Sequence, residues 1–250
     1  MKDEQLVLKQ VKLTETISSR YLLEDISFSI SSGDRLGIVG SSGAGKTSLL
    51  RLLNRLDDPT SGLIKFDSQP LNQLPIIKLR QTIVLVPQEP RLLGMTVRET
   101  LAYPLILQQL SKSQIQQRLD TWMAQLHISQ DWLERNELQL SLGQRQLISI
   151  ARALVMQPKL LLLDEPTSAL DVGTAHHLLD VLIQLSETVE TTIIMVNHHL
   201  ELVQKFAEQV LYLQQGKILT NQSKNQVNWQ QLKEQLIQVE ANKMIQNDDF

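Results

Sequence analysis

The eight residues Gly40 to Thr47, GSSGAGKT, constrain this chain more than any other stretch. They follow the apolar run Leu36 to Val39 and precede Ser48-Leu49-Leu50-Arg51-Leu52-Leu53, so a strand passes through a glycine-rich turn into a helix N-terminus. Small residues let backbone N–H groups close around anionic oxygens, and the positive end of the helix dipole points at the same place. The pattern fits a polyphosphate. Gly40, Ser41, Ser42, Gly43, Ala44 and Gly45 form the cradle, Lys46 reaches the terminal phosphates, the Thr47 hydroxyl takes a magnesium site, and Ser48 continues the helix start.

Composition narrows the partners. With 24 basic and 27 acidic residues the net charge is −3 and there is no basic run, so no nucleic acid is expected as a partner. The absence of cysteine removes disulfides, thiolate metal sites and cysteine nucleophiles together, and it fits a reducing compartment. No stretch of about 18 uncharged apolar residues occurs. The N-terminus MKDEQLVLKQ has no signal-peptide pattern, so the chain reads as soluble and cytoplasmic.

Leu6 to Leu13 and Ile26 to Ile30 alternate apolar and polar residues, which predicts an antiparallel edge flanking the nucleotide. Between them Tyr21 is a candidate to stack on an adenine ring or, equally, to anchor the start of a strand. Leu63 to Phe66 reads as a short strand. A further strand, ending at Val86, runs into Pro87-Gln88-Glu89-Pro90, whose prolines exclude a regular element. Gln88 is thereby left on a loop at a strand's C-terminal end, where open α/β sheets bind ligands.

From Thr96 to about Val155 helices take over. Thr96 with Glu99 and Ser113 with Gln116 fit the Ser/Thr-x-x-Glu/Gln capping box, and Ile115, Leu119, Met123 and Leu126 recur on one face. A third box, Ser141-Leu142-Gly143-Gln144, opens a helix that stops before Gln157-Pro158. Such a helix start serves as a structural cap or as an anion site.

Leu160 to Leu163 form a fully apolar strand that delivers Asp164 and Glu165 to a sheet's C-terminal edge. Beside a phosphate loop, Asp164 is placed to hold magnesium and Glu165 to polarise water. Ser168 to Asp171 lead into a helix with Leu178, Leu179 and Leu182 inward and His176 and His177 as surface histidines. Thr191 to Val196 are another buried strand, ending at Asn197-His198-His199, where a histidine can donate a hydrogen bond to a terminal phosphate. Val210 to Leu213 and Lys217 to Leu219 form a hairpin. Beyond it, Trp229, Leu232, Leu236 and Val239 make a helical stripe that packs on the domain's own surface or on a partner.

In this order, GSSGAGKT, Gln88, Leu140 to Gln144, LLLLDEP, Ser168 to Asp171 and His198 resemble the ATP-binding cassette of ABC transporters, over about residues 6 to 220. The resemblance implies an α/β P-loop NTPase fold, with a RecA-like core of mixed sheet, an antiparallel β subdomain and a helical subdomain. It implies an ATP-binding domain at 1–220, with the helical subdomain inserted at about 88–156, and a C-terminal helical tail at 221–250.

The same resemblance implies roles: Walker A for Gly40 to Thr47, the Q-loop for Gln88, the signature for Ser141, Gly143 and Gln144, Walker B for Asp164 and Glu165, the D-loop for Asp171 and the H-loop for His198. Glu165, His198, Gln88 and Lys46 would be catalytic, and Thr47, Gln88 and Asp164 would hold Mg2+. Two cassettes would sandwich two ATP head to tail, driving a separate transmembrane permease subunit from the inner face of the plasma membrane. This chain departs from the family at three places. Leu142 replaces the signature's first glycine, no aromatic precedes Ser18-Ser19, and His199 stands where an acid is common. The segment Pro90 to Leu101, with Tyr103-Pro104, looks most like bacterial iron-export and metal-resistance cassettes. The rival readings are a soluble ABC ATPase acting on DNA or ribosomes, and a non-ABC P-loop switch or kinase.

Overall fold

A computed structural model of the chain describes residues 4–15 and 21–248, with side chains given up to 241. The first elements are β1 (Glu4–Thr14), β2 (Tyr21–Ser31), β3 (Arg35–Val39), α1 (Lys46–Leu53), β4 (Ser61–Phe66) and β5 (Gln69–Pro70). Next come α2 (Ile76–Thr82), β6 (Ile83–Val86), α3 (Val97–Leu107), α4 (Lys112–Gln125), α5 (Leu142–Leu154) and β7 (Leu160–Asp164). The chain continues with α6 (Val172–Val189), β8 (Thr192–Val196), α7 (Leu200–Phe206), β9 (Gln209–Gln214), β10 (Lys217–Ser223) and α8 (Trp229–Asp248).

The alternating N-terminal strands form an antiparallel sheet of order β2-β1-β4-β5. The near-continuous apolar strands form a second sheet of order β10-β9-β3-β8-β7-β6, parallel except for the β9–β10 hairpin. Apolar runs of this kind belong to strands covered on both faces. Leu160 and Leu162 of β7 enter one core with α1 and the antiparallel sheet, whereas Leu161 and Leu163 enter another with α3 to α7 and Leu232 of α8. The period-two alternation of a strand assigns each side chain to its layer.

Register matters more than layering for the site. Ile38 pairs with Val196, Val196 with Asp164, and Val86 with Leu163. The residues just beyond these strand ends therefore gather at one edge of the sheet: Gly40, Asn197 with His198, Glu165, and Gln88.

One helix start differs from its sequence-based expectation. The cap of α4 is Ser111 with Gln114, not Ser113 with Gln116; the Ser111 hydroxyl accepts from the Gln114 N–H and the Gln114 side chain accepts from the Ser111 N–H. Both registers satisfy the same pattern. Starting at Ser111 also puts Leu110 before the cap and Ile115 on the fourth helical position, and both pack on the core as a hydrophobic staple. A start at Ser113 would offer Lys112 and Gln117 there instead. The position preceding Ser18-Ser19 lies outside the described residues.

Candidate functional site: a phosphate loop facing two acids

All five residues of β3 are buried, which fixes where the glycine loop begins. Gly45 caps α1 with φ 101, and a Cβ there would lie 2.7 Å from the Leu22 carbonyl oxygen. Only glycine meets both demands. The buried Lys46 ammonium donates to the Gly40 carbonyl at 2.8 Å and the Ser41 carbonyl at 3.0 Å, so the cation is held against its own loop. Ser42, Gly43 and Thr47 remain exposed along the loop, whereas Ser41 and Ala44 are buried and Gly45 and Ser48 half-buried.

Thr47, at the start of α1, donates its hydroxyl to Asp164 Oδ2 at 2.8 Å. Asp164 is 3 % exposed, and its other oxygen, Oδ1, is buried without a hydrogen-bond partner. Burial pushes the Asp164 carboxyl above the usual carboxylate range, with the Thr47 hydrogen bond opposing it and the neighbouring Glu165 charge adding to it. A buried carboxylate oxygen with no donor is a place for a hard cation. Magnesium takes one or two protein oxygens and completes its shell with phosphate and water. Thr47 and Asp164 fit that demand. Among the described residues there is no cluster of three or more His, Cys, Asp or Glu that would hold a metal without such help.

Glu165 turns the chain out of β7 with φ 51, a left-handed conformation, and its N–H donates to the Val196 carbonyl at 3.0 Å. Its carboxylate oxygen Oε2 accepts from Gln88 Nε2 at 2.8 Å and lies 2.5 Å from His198 Nε2. Residues from the ends of β6, β7 and β8 thus converge on one buried carboxylate whose neighbours Gln88 and His198 are solvent-exposed. His198 is the histidine of this pair that touches the acid; the His199 N–H donates to Asn197 Oδ1.

The remaining candidate residues lie apart from this cluster. Ser141 caps α5, where its hydroxyl accepts from the Gln144 N–H and its own N–H donates to Gln144 Oε1. Gly143 abuts the loop after Glu165, since a Cβ on it would lie 2.7 Å from the Ala169 carbonyl oxygen. Asp171 caps α6 by accepting from the Thr174 N–H and hydroxyl. These bonds, the hydroxyl's first, hold its carboxyl below the usual range. Tyr21 opens β2, half exposed, with the Lys12 ammonium 5.8 Å from its ring centroid.

Two contacts, one at the site and one remote from its hydrogen bonds, have no counterpart in the sequence pattern. Buried Asn197 donates to the Thr167 hydroxyl at 2.8 Å and thereby ties the ends of β7 and β8 together. A polar residue closing a β-branched buried strand was the available signal. His176 is exposed and His177 half-buried, its ring stacked on His127 with centroids 4.1 Å apart and its Nε2 2.8 Å from the Gln125 carbonyl oxygen.

A glycine loop between a buried strand and a helix, with its lysine tucked inside and an acid pair on the second strand over, defines a P-loop nucleotide-binding protein. Residues 23–168 match the family model described as "ABC transporter", and the chain belongs to that family. Among similar curated proteins is the methionine import ATP-binding protein MetN of Mannheimia succiniciproducens, 36% identical over 209 residues, 82% of this chain and 60% of that protein. MetN 3 of Shouchella clausii is 38% identical over 203 residues, 79% of this chain and 58% of that one. The chain thus spans about three fifths of the length of these curated relatives. Among solved structures, the ATP-binding cassette MJ0796, a dimer bound to ADP and Pi in a post-hydrolysis state, aligns with TM-score 0.82 at 29% identity, covering 87% of this chain and 98% of that one. The cbiO1 protein of Clostridium perfringens, part of the ABC transporter complex cbiONQ, aligns with TM-score 0.81 at 26% identity, covering 96% of this chain and 95% of that one. Among the described residues no helix is long and apolar enough to cross a membrane.

Proposed function

We propose that this chain is the ATP-hydrolysing subunit of an ABC transporter, acting as a dimer of cassettes on a separate membrane permease at the inner face of the membrane. The observation that carries the reading is the meeting of Gln88, Glu165 and His198 on the same edge as the Lys46 loop. Phosphoryl transfer asks mainly for positioning and charge stabilisation. The cradle of residues 40–48 and the Lys46 cation bind the phosphates. Glu165 orients the attacking water and accepts its proton, and Gln88 and His198 hold that carboxylate in place. Thr47, Gln88 and Asp164 would hold Mg2+, which when bound would neutralise phosphate charge.

The reading divides the chain into an ATP-binding domain at 1–220, with a helical subdomain at 88–156, and a tail at 221–250. Tyr21 is the adenine platform by position. Ser141, Gly143, Gln144 and Asp171 complete the site from a second chain, since in their own chain their hydrogen bonds and contacts lie away from Lys46. A permease contact is supported by the apolar side chains of Leu93, Tyr103, Ile106 and Leu107, which stand exposed shortly after Gln88. The relatives are transporter components, which favours transport over a role on DNA or ribosomes. Methionine is the cargo in the MetN names, whereas residues 90–104 resemble iron-export cassettes; the site described here contacts nucleotide rather than cargo and favours neither.

Glu165→Gln tests the reading. It should retain ATP binding, lower turnover by about 10²–10⁴-fold, and accumulate an ATP-bound dimer on size exclusion. Unchanged steady-state ATPase in this variant would refute the assignment.

A further inference from the structure

Beside the catalytic edge runs a groove of about 670 Å³ that the nucleotide reading leaves unused. One wall is the start of α6, with Leu170, Val172 and Ala175; the other is α8, with Trp229, Leu236 and Ile237, and the end nearest the phosphate loop reaches Gly40 and His198. Val172 is 76 % exposed and Ile237 58 %. The apolar surface does not stop at the groove. Leu170 follows Ala169, against which Gly143 packs, and the next residue on that helix start is Leu142, itself 52 % exposed. Leu170, Val172 and Ile237 thus line a groove that reaches His198, and the helix start carrying Leu142 adjoins its Leu170 side.

Exposed apolar surface joined to a reactive site usually marks an interface. We infer that α8 and the start of α6 form part of the contact with a second copy of this chain, so that the tail helix is a component of the ATP-dependent dimer. Two observations select a second copy as the occupant. The groove ends on Gly40 and His198, so a chain closing over the phosphate edge also covers its mouth. Its Leu170 side adjoins the Ser141 helix end, since a Cβ on Gly143 would lie 3.7 Å from Leu170 Cδ2, and the hydrogen bonds of Ser141 close on its own helix start rather than on the Lys46 loop. The inference rests on the dimer reading above and extends it to a helix beyond the residues matched to the family.

The test uses the full chain carrying Glu165→Gln, with Mg-ATP, analysed by sedimentation. Adding Ile237→Asp or Val172→Asp should weaken dimerisation at least tenfold while each chain binds a fluorescent ATP analogue as before. Leu219→Asp, an exposed apolar position on β10, should leave dimerisation unchanged. Because the chain has no cysteine, Ile237→Cys adds a single thiol whose maleimide labelling should slow when Mg-ATP brings chains together. If Glu165→Gln alone forms no dimer, the dimer reading itself fails. If it dimerises and the Asp variants dimerise equally well, only the role of α8 is overturned. Protection of the thiol in a chain that stays monomeric would also overturn it, since the groove would then close on its own chain or on the nucleotide.

Discussion

The two polar helix starts of this protein, Lys46–Thr47 and Ser141–Gln144, resemble one another chemically and differ in what surrounds them. At the first, a lysine is buried, a threonine hydroxyl is engaged with Asp164, and the acid that follows Asp164 is tied to residues beyond the ends of two other strands. At the second, the hydrogen bonds close within one capping box, and the helix tip and its Leu142 side chain face solvent. One end is organised by its own fold. The other is a finished helix start with exposed donors and a backbone wedged against Ala169. The difference teaches that, on the composite-site proposal, a chain can finish its fold while half of its site still waits for a second copy.

The sharpest way to break that comparison is complementation. Lys46→Ala should cost about 10²–10³-fold in turnover by removing a phosphate-directed charge, and Ser141→Arg should be equally inactive by blocking the helix tip. Mixed together, they should recover about a quarter of wild-type ATPase, because one composite site in each mixed dimer has both halves intact. No recovery on mixing would mean that each site is built within one chain.

Gly143→Ala is next in size. The added methyl meets the Ala169 carbonyl oxygen, so the start of α5 must shift, and turnover should fall on the order of 10²-fold from misplacement alone. ATP affinity of the single chain, read by fluorescence titration, should not move.

Asp164→Asn separates the two properties, since stability should rise by a small amount while activity falls. Burial raises the Asp164 carboxyl, so the folded chain holds that proton more tightly than the unfolded chain. Its destabilising effect is therefore absent at low pH and complete once pH has risen through the carboxylate range to neutrality. Removing the charge should stabilise the nucleotide-free protein by about 1 kcal/mol, raising Tm at neutral pH by about 2–4 °C, and the gain should vanish in acid. Activity with Mg-ATP should be lost in the same variant. Smallest of all, Ser141→Ala should cost about 1 kcal/mol through the lost cap, visible as a modest fall in Tm, with Lys46-side nucleotide binding untouched.

Much of the site was legible because strand ends are written in apolar runs. Leu36 to Val39, Leu160 to Leu163 and Thr191 to Val196 each stop at or beside a candidate site residue, and parallel register brings those stops level. Local chemistry was less decisive where two registers share one pattern, as at Ser111 and Ser113; only the packing of Leu110 and Ile115 separates them. Contacts that no strand end announces were not legible. Nothing near His177 announces His127, 50 residues earlier, and nothing near Asn197 announces Thr167.

The two acids also have a consequence in time. Strand β7, which carries Asp164 and leads into Glu165, is paired along both edges and covered on both faces by different cores. Its amide protons can reach solvent only when both layers open together, so they should be among the last in the molecule to exchange with deuterium. The two candidate acids thus sit at the end of a strand held from every side, while the Ser141 cap sits at a helix start whose tip is exposed to solvent.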